Sequence, residues 1–166
     1  LRTVDRGTFT VLHAGGAAIM TTLRLEPVPG GDPGLQQALS AAHLPTVDLE
    51  EPGRLFFRAV SADGITVGYA GMETCDDAVL LRSMVILPPF RGKALGLSLS
   101  REILKTVKQG TAVFLVTTTA TQFFEKLGFI TIERGAVPSA VLATRQLSGI
   151  CPASASIMKL NTAATG

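Results

Sequence analysis

Residues 83–96, Ser-Met-Val-Ile-Leu-Pro-Pro-Phe-Arg-Gly-Lys-Ala-Leu-Gly, decide how this chain reads. The run from Val79 to Leu87 is apolar and rich in β-branched residues, which suits a central strand. It enters a basic turn, Arg91-Gly92-Lys93, after which Leu95, Leu99, Ile103 and Val107 recur at helical spacing as far as Gln109-Gly110. Strand, small-residue turn and helix in that order suit an anion such as a pyrophosphate. Small residues let the backbone approach it, successive N–H groups converge on it, and the positive end of the helix faces it.

Upstream, Leu23–Val28 reads as a first strand closed by Pro29-Gly30-Gly31. Asp32-Pro33 then predicts a helix start, a carboxylate N-cap followed by proline at the first helical position. That helix carries Leu35, Leu39 and Ala42 on one face and ends before Leu44-Pro45, with an acidic loop over 46–53. Leu55–Ser61 and Ile65–Met72 flank Asp63-Gly64, a hairpin signal, and Cys75-Asp76-Asp77 turns the chain into the Val79 strand, giving an antiparallel meander. Downstream, Ala112–Thr117 is a strand reached by a crossover helix. Thr121–Leu127 is a short helix stopped by Gly128-Phe129, Phe129–Arg134 a strand, Pro138–Leu147 a helical segment and Ser154–Leu160 a last strand. The order β-α-β-β-β-α-β-α-β-α-β predicts a mixed α/β sheet flanked by helices. Residues 1–19 fit a possible extension ahead of Met20-Thr-Thr-Leu, with 20–166 as a single domain and the tail from Asn161 expected to fray.

With 46% apolar residues the chain can bury one sizeable core. A net charge of +2 and the lack of tryptophan argue against nucleic acid as a partner. The opening segment fits neither a membrane span nor a signal peptide, so a cytoplasmic protein with no membrane partner is expected. Cys75 and Cys151 have no ligand-spaced companions, so neither a metal site nor a disulfide framework is read here.

The Arg91-x-x-Ala94-x-Gly96 turn after a strand, followed one helix and one strand later by Phe123-Phe-Glu-Lys-Leu-Gly-Phe129, resembles the GNAT superfamily of N-acetyltransferases over roughly Leu23–Leu160. Narrower likenesses accompany it. His43-Leu-Pro-Thr-Val-Asp-Leu49, Val79-Leu-Leu-Arg-Ser83, Phe114-Leu-Val-Thr-Thr-Thr119 and Ile150-Cys-Pro-Ala-Ser-Ala155 are most similar to the arsenic-resistance N-acetyltransferases. The segment from Leu115 to Phe129 is also similar to N-acetylglutamate synthases. The resemblance implies acetyl-CoA as cosubstrate and a small, amino-acid-like amine as acceptor, such as a glutamate analogue of the arsinothricin or phosphinothricin type. An N-acetylglutamate synthase-like enzyme and a non-catalytic acetyl-CoA-binding module are the alternatives, and the protein would act as a monomer or homodimer.

The same resemblance assigns residues. The amides from Gly92 through Lys93, Ala94, Leu95 and Gly96 to Leu97 would seat the pyrophosphate, with charge from Arg91 and Lys93. A main-chain N–H among Met84, Val85 and Ile86, freed by a bulge, would polarise the thioester, and Ile86 is taken as the catalytic one. Thr118 would touch the cofactor arm or acceptor, and Glu73 would serve as base through a water. Arg82, costly to bury alone, would either pair with Glu73 or Asp48 or grip an acceptor carboxylate together with Glu73. Phe124 stands where the superfamily often places an acidic tyrosine, and Ala94 where glycine is usual; alanine is costly there only if φ is positive.

Overall fold

The structure, a computed structural model, describes residues 22–161. The possible extension at 1–19 and the tail beyond Asn161 lie outside the described residues. Strand β1 (Arg24–Val28) leads to helix α1 (Pro33–Ala41). The Asp32 carboxylate accepts the Leu35 N–H at 2.9 Å, and Pro33 fills the first turn, as the sequence predicts. β2 (Arg54–Val60), β3 (Thr66–Cys75) and β4 (Ala78–Ile86) form the antiparallel meander. Helix α2 (Leu95–Lys105) crosses over to β5 (Ala112–Thr117), which lies parallel to β4. Then follow α3 (Thr121–Glu125), β6 (Phe129–Ile132), α4 (Ser139–Leu142) and β7 (Ser156–Leu160).

The seven strands are ordered β1-β2-β3-β4-β5-β7-β6, with β7 slipped antiparallel between β5 and β6. Leu95, Leu99 and Ile103 of α2 pack with Val79, Leu81, Val113, Leu115 and Met158 on one face of the sheet. On the other, Val141 of α4 meets Leu80, Phe114 and Ile157, while Leu35 and Leu39 of α1 meet Phe56, Tyr69 and Val85. The helices thus cover both faces.

Several boundaries differ from the sequence reading, two of them by more than a turn of helix. Helix α2 stops at Lys105 rather than near Gly110, and the Thr106 hydroxyl closes its end by donating to the Ile103 carbonyl at 2.7 Å. The helix expected over Pro138–Leu147 breaks into α4 and a wide π-type turn over Gln146–Ile150, closed by Cys151 N–H to Gln146 O at 2.8 Å. Val141 and Leu147 both enter the same core cluster, and six residues apart they cannot share one α-helical face, so the helix yields to burial.

Candidate active site

β4 and β5 pair from Ala78–Ala112 to Leu81–Leu115 and no further. Beyond that point the strands part, and a cavity of about 550 Å³ opens between 82–86 on one side and 116–120 on the other. Its floor is α2, at Gly96, Leu99 and Ser100; Phe123 and Phe124 border it, and its far end is closed by 42–45, Gln146 and 150–152.

The parting begins at a bulge. Gly71 lies opposite Arg82 but Tyr69 opposite Val85, so Ala70 alone faces both Ser83 and Met84. Ser83 takes the left-handed conformation, φ 57°. The extra residue reverses the alternation of β4. Val79 and Leu81 belong to the α2-side core, and past the bulge so do Met84 and Ile86, while Val85 joins the α1-side core. The Leu87 N–H donates across to Val67 O at 2.8 Å, so strand alternation turns the Ile86 amide the other way, toward the open side. The Ile86 carbonyl accepts from Arg91 Nε at 2.9 Å, which ties the basic turn to this free edge.

The turn itself is exposed from Arg91 to Ala94. Gly92 has φ 79° with open space where a Cβ would stand, and Lys93 Nζ lies 5.9 Å from the Phe90 ring centre. Ala94 is left-handed, φ 59°, so the substitution at the usual glycine position does carry strain. No side chain caps α2, leaving the amides of Leu95, Gly96 and Leu97 as its unsatisfied first-turn donors. Together with Arg91 and Gly96 at the cavity wall, this is an open, positive seat next to the gap.

Arg82 is buried and paired. Its Nη1 and Nη2 donate to the two oxygens of Asp48, each at 2.6 Å, and Nη1 reaches Glu73 Oε2 at 3.3 Å. Its Nε donates to Ser83 Oγ at 3.2 Å, and Phe56 lies beneath the guanidinium. Arg54 Nη2 joins Asp48, Glu51 and Glu73 to the same cluster, with Arg145 on Glu51 at the surface. Burial opposes ionisation of Asp48, but the hydrogen bonds and charge of Arg82 and Arg54 outweigh it and hold its pKa below the ordinary value. Of the two roles open for Arg82, pairing within the chain with Asp48 and Glu73 is the arrangement seen. Glu73, the expected base, sits in this cluster and is not among the residues lining the cavity, because both its oxygens are drawn to arginines.

Thr118 lies at the exposed mouth of the cavity just past β5, while Thr117 Oγ1 accepts the Ala120 N–H at 3.0 Å and shapes that corner. Phe124 sets its ring edge-on to Phe123 and Phe129, so no acidic hydroxyl stands at that position. Sequence reasoning undervalued His43 and Cys151 and overlooked Gln146, which all line the far end. Gln146 Oε1 accepts from the Cys151 thiol at 3.4 Å, and burial pushes that thiol's pKa up, keeping it protonated. Their only signal in the sequence was position, His43 at a helix stop and Cys151 before a proline. Among the described residues no cluster of His, Cys, Asp or Glu could hold a metal ion, and no helix is long and apolar enough to cross a membrane.

Comparison with known proteins shows what this geometry is similar to. The sequence profile of the acetyltransferase (GNAT) domain matches residues 52–131, the span from β2 through the turn and α2 to β6. No curated protein matches the sequence. Among solved structures, Rv2747 from Mycobacterium tuberculosis, in complex with CoA, is similar at 19% identity with TM-score 0.63, covering 82% of this chain and 98% of that one. An acyl-CoA N-acyltransferase from Pseudomonas aeruginosa matches at 15% identity and TM-score 0.60, covering 84% and 100%. N-acetylglutamate synthase from Neisseria gonorrhoeae, complexed with coenzyme A and L-arginine, matches at 18% and 0.62, over 83% of this chain but 32% of that chain. The fold is the GNAT acyl-CoA N-acyltransferase fold.

Proposed function

We propose that this chain is an acetyl-CoA-dependent acyltransferase that acetylates the amine of a small, amino-acid-like acceptor, a reading supported by the match of residues 52–131 to the GNAT acetyltransferase domain. The observation that supports this most is the parting of β4 from β5 after Leu81, which opens a cavity beside an uncapped helix N-terminus. The residues present fit the cosubstrate. Gly92 leaves room for close approach, the amides of Leu95 to Leu97 and the charges of Arg91 and Lys93 receive phosphate, and the gap between strands admits a narrow arm. Acetyl-CoA, when bound, supplies an activated thioester carbonyl.

In this reading the chain's part is to orient and to polarise. The Ile86 N–H, on the open side of β4, donates to the carbonyl oxygen as charge develops there, with Met84 and Val85 shaping the bulge that frees it. Thr118 and the threonine corner meet the arm at the mouth. The far end, between His43 and Gln146, receives the amine, with Ser83 in the wall between. Glu73, committed to Arg82 and Arg54, leaves the amine proton to depart through solvent. Phe124 offers no proton, and solvent neutralises the departing thiolate. Among the described residues lining the cavity no nucleophile is hydrogen-bonded to a base, which supports direct attack by the amine over an acyl-enzyme.

Arg82 is already held by a carboxylate, so an acceptor's acidic group binds at this end without a two-pronged grip from Arg82. Acceptors of the arsinothricin or phosphinothricin type, glutamate among them, are the first to try on the strength of the sequence resemblance. The test is thiol release from acetyl-CoA across a panel of amino acids and these analogues, with the acetylated product identified by mass. Release with one acceptor supports the reading. Tight acetyl-CoA binding with no acetylation of any amine overturns it.

A further inference from the structure

We propose that Asp48 is a positioning residue for the polarising amide, acting through Arg82 on the strained bulge at Ser83; this rests on the function proposed above. A serine at φ 57° is costly, roughly 1–2 kcal/mol for an L-residue in that region. Such a conformation persists only where its surroundings over-determine it. Here they do. Asp48, wholly buried, grips both terminal nitrogens of Arg82 at 2.6 Å, and the same guanidinium donates through Nε to the hydroxyl of Ser83 at 3.2 Å. Glu73 on the adjacent β3 and Phe56 on β2, one strand further on, contact the guanidinium as well. Arg54 holds Asp48 from the other side at 3.2 Å.

The chain of contacts runs from a loop to the reacting edge of β4. Asp48 lies three residues past Pro45, whose neighbours form the far wall of the cavity. Ser83 lies three residues before Ile86, whose amide the bulge turns to the open side. The bulge reverses the alternation of the strand, so a chain that relaxed it would rotate the Ile86 amide back toward β3 and bury the donor. Two carboxylates and two arginines balance in charge at this point, and one member, Arg54 Nε, is a buried donor with no partner among the described residues. A cluster serving stability alone would be replaced by apolar side chains of like volume at little cost. A cluster that fixes a backbone conformation would not.

The test uses the intact protein with acetyl-CoA labelled at the carbonyl carbon, so that it needs no acceptor. Binding to the wild type is expected to shift the carbonyl infrared band downward. Asp48→Asn is expected to lose most of that shift while coenzyme A affinity stays within about threefold, and to lower the rate of acetyl transfer by tenfold or more, since one such donor is worth about 10²–10³ in rate. Ser83→Gly, free to adopt positive φ without strain, is expected to restore part of the shift in the Asp48→Asn background. An unchanged band in Asp48→Asn overturns the proposal, as does coenzyme A affinity falling in parallel with the shift.

Should Asp48→Asn not fold, the comparison of Ser83→Ala with Ser83→Gly decides. Both lose the bond to Arg82, but only alanine remains strained, so the proposal requires the alanine variant to lose more of the shift. The reverse order, or no effect from alanine, overturns it. An intact band in the wild type with no acceptor turned over would sink the transferase reading and leave this one standing.

Discussion

β4 and β5 are two strands with two fates. From Ala78 to Leu81 they run side by side, every residue but Ala112 buried, Leu80 against Phe114 and Leu81 against Leu115. From Arg82 onward the same strands diverge, and while Arg82 and Val85 stay buried, Ser83, Met84, Ile86, Val116 and Thr117 become half-exposed and polar groups enter the wall. The first half is held by burial, which is non-directional and tolerates no gap. The second is held apart by a backbone bulge and by charges whose geometry is fixed. The lesson is that the opening is not a place where packing fails. Arg82 stands at the boundary and belongs to both halves, lining the cavity while it pairs with the buried Asp48 and Glu73.

Removing that boundary is expected to produce the largest effect. Arg82→Ala leaves Asp48 and Glu73 facing each other in a buried site with one arginine fewer, and breaking a buried pair costs about 3–5 kcal/mol. Urea denaturation of the variant measures it; a loss near zero would mean that the two halves are not joined through this residue. Acid does the same more gradually. Because the Asp48 pKa is depressed in the fold, its contribution is complete above its ordinary value of 3.8 and is lost as pH falls below that toward the folded value. Urea midpoints followed from pH 7 down to pH 3 should therefore drop, and Asp48→Asn should flatten that part of the curve.

Leu80→Ala and Gly96→Val separate the halves from each other. Leu80 is buried in the paired half, and its truncation is expected to cost about 2–5 kcal/mol while coenzyme A affinity per folded molecule is unchanged. Gly96 lines the opened half, and a Cβ there meets the Phe123 ring at 3.4 Å. A valine puts two methyl groups at the cavity wall, for an expected tenfold loss of coenzyme A affinity, about 1.4 kcal/mol, with a smaller change in stability. Calorimetric titration and denaturation on both variants check the pair. If both properties fall together in both variants, the division is wrong.

The two halves were also unequally legible. The paired half announces itself, since an unbroken apolar run at Val79–Leu81 and another at Val113–Leu115 suit central strands, and Asp32-Pro33 and Asp63-Gly64 write their own cap and turn. The turn at Arg91–Gly96 was readable for the same reason, being local. What could not be read is what meets across long separations. Asp48 stood beside Glu73 as a possible partner of Arg82, but across 34 residues nothing in either neighbourhood says that this one carboxylate takes both nitrogens. Nor could the sequence place Gln146, whose wide turn arises because Val141 and Leu147 compete for one core. Glu73 looked like a free carboxylate at a strand end because β3 was read three residues too short; the strand runs on to Cys75 and carries Glu73 inward.

Ala94 gives the smallest and sharpest test, since it sits on the opened side with no packing to confuse the result. Its φ of 59° costs an L-residue roughly 1–2 kcal/mol. Glycine removes that cost but adds about 0.5–1 kcal/mol of unfolded-chain entropy. The balance leaves Ala94→Gly more stable by about 0–1.5 kcal/mol, read as a small rise in the urea midpoint at constant slope. The exposed Cβ also disappears from the seat beside Gly92, so coenzyme A affinity should rise rather than fall. A variant less stable than the parent would mean that the turn relaxes out of the left-handed region in solution, and the uncapped start of α2 would then have to be redrawn.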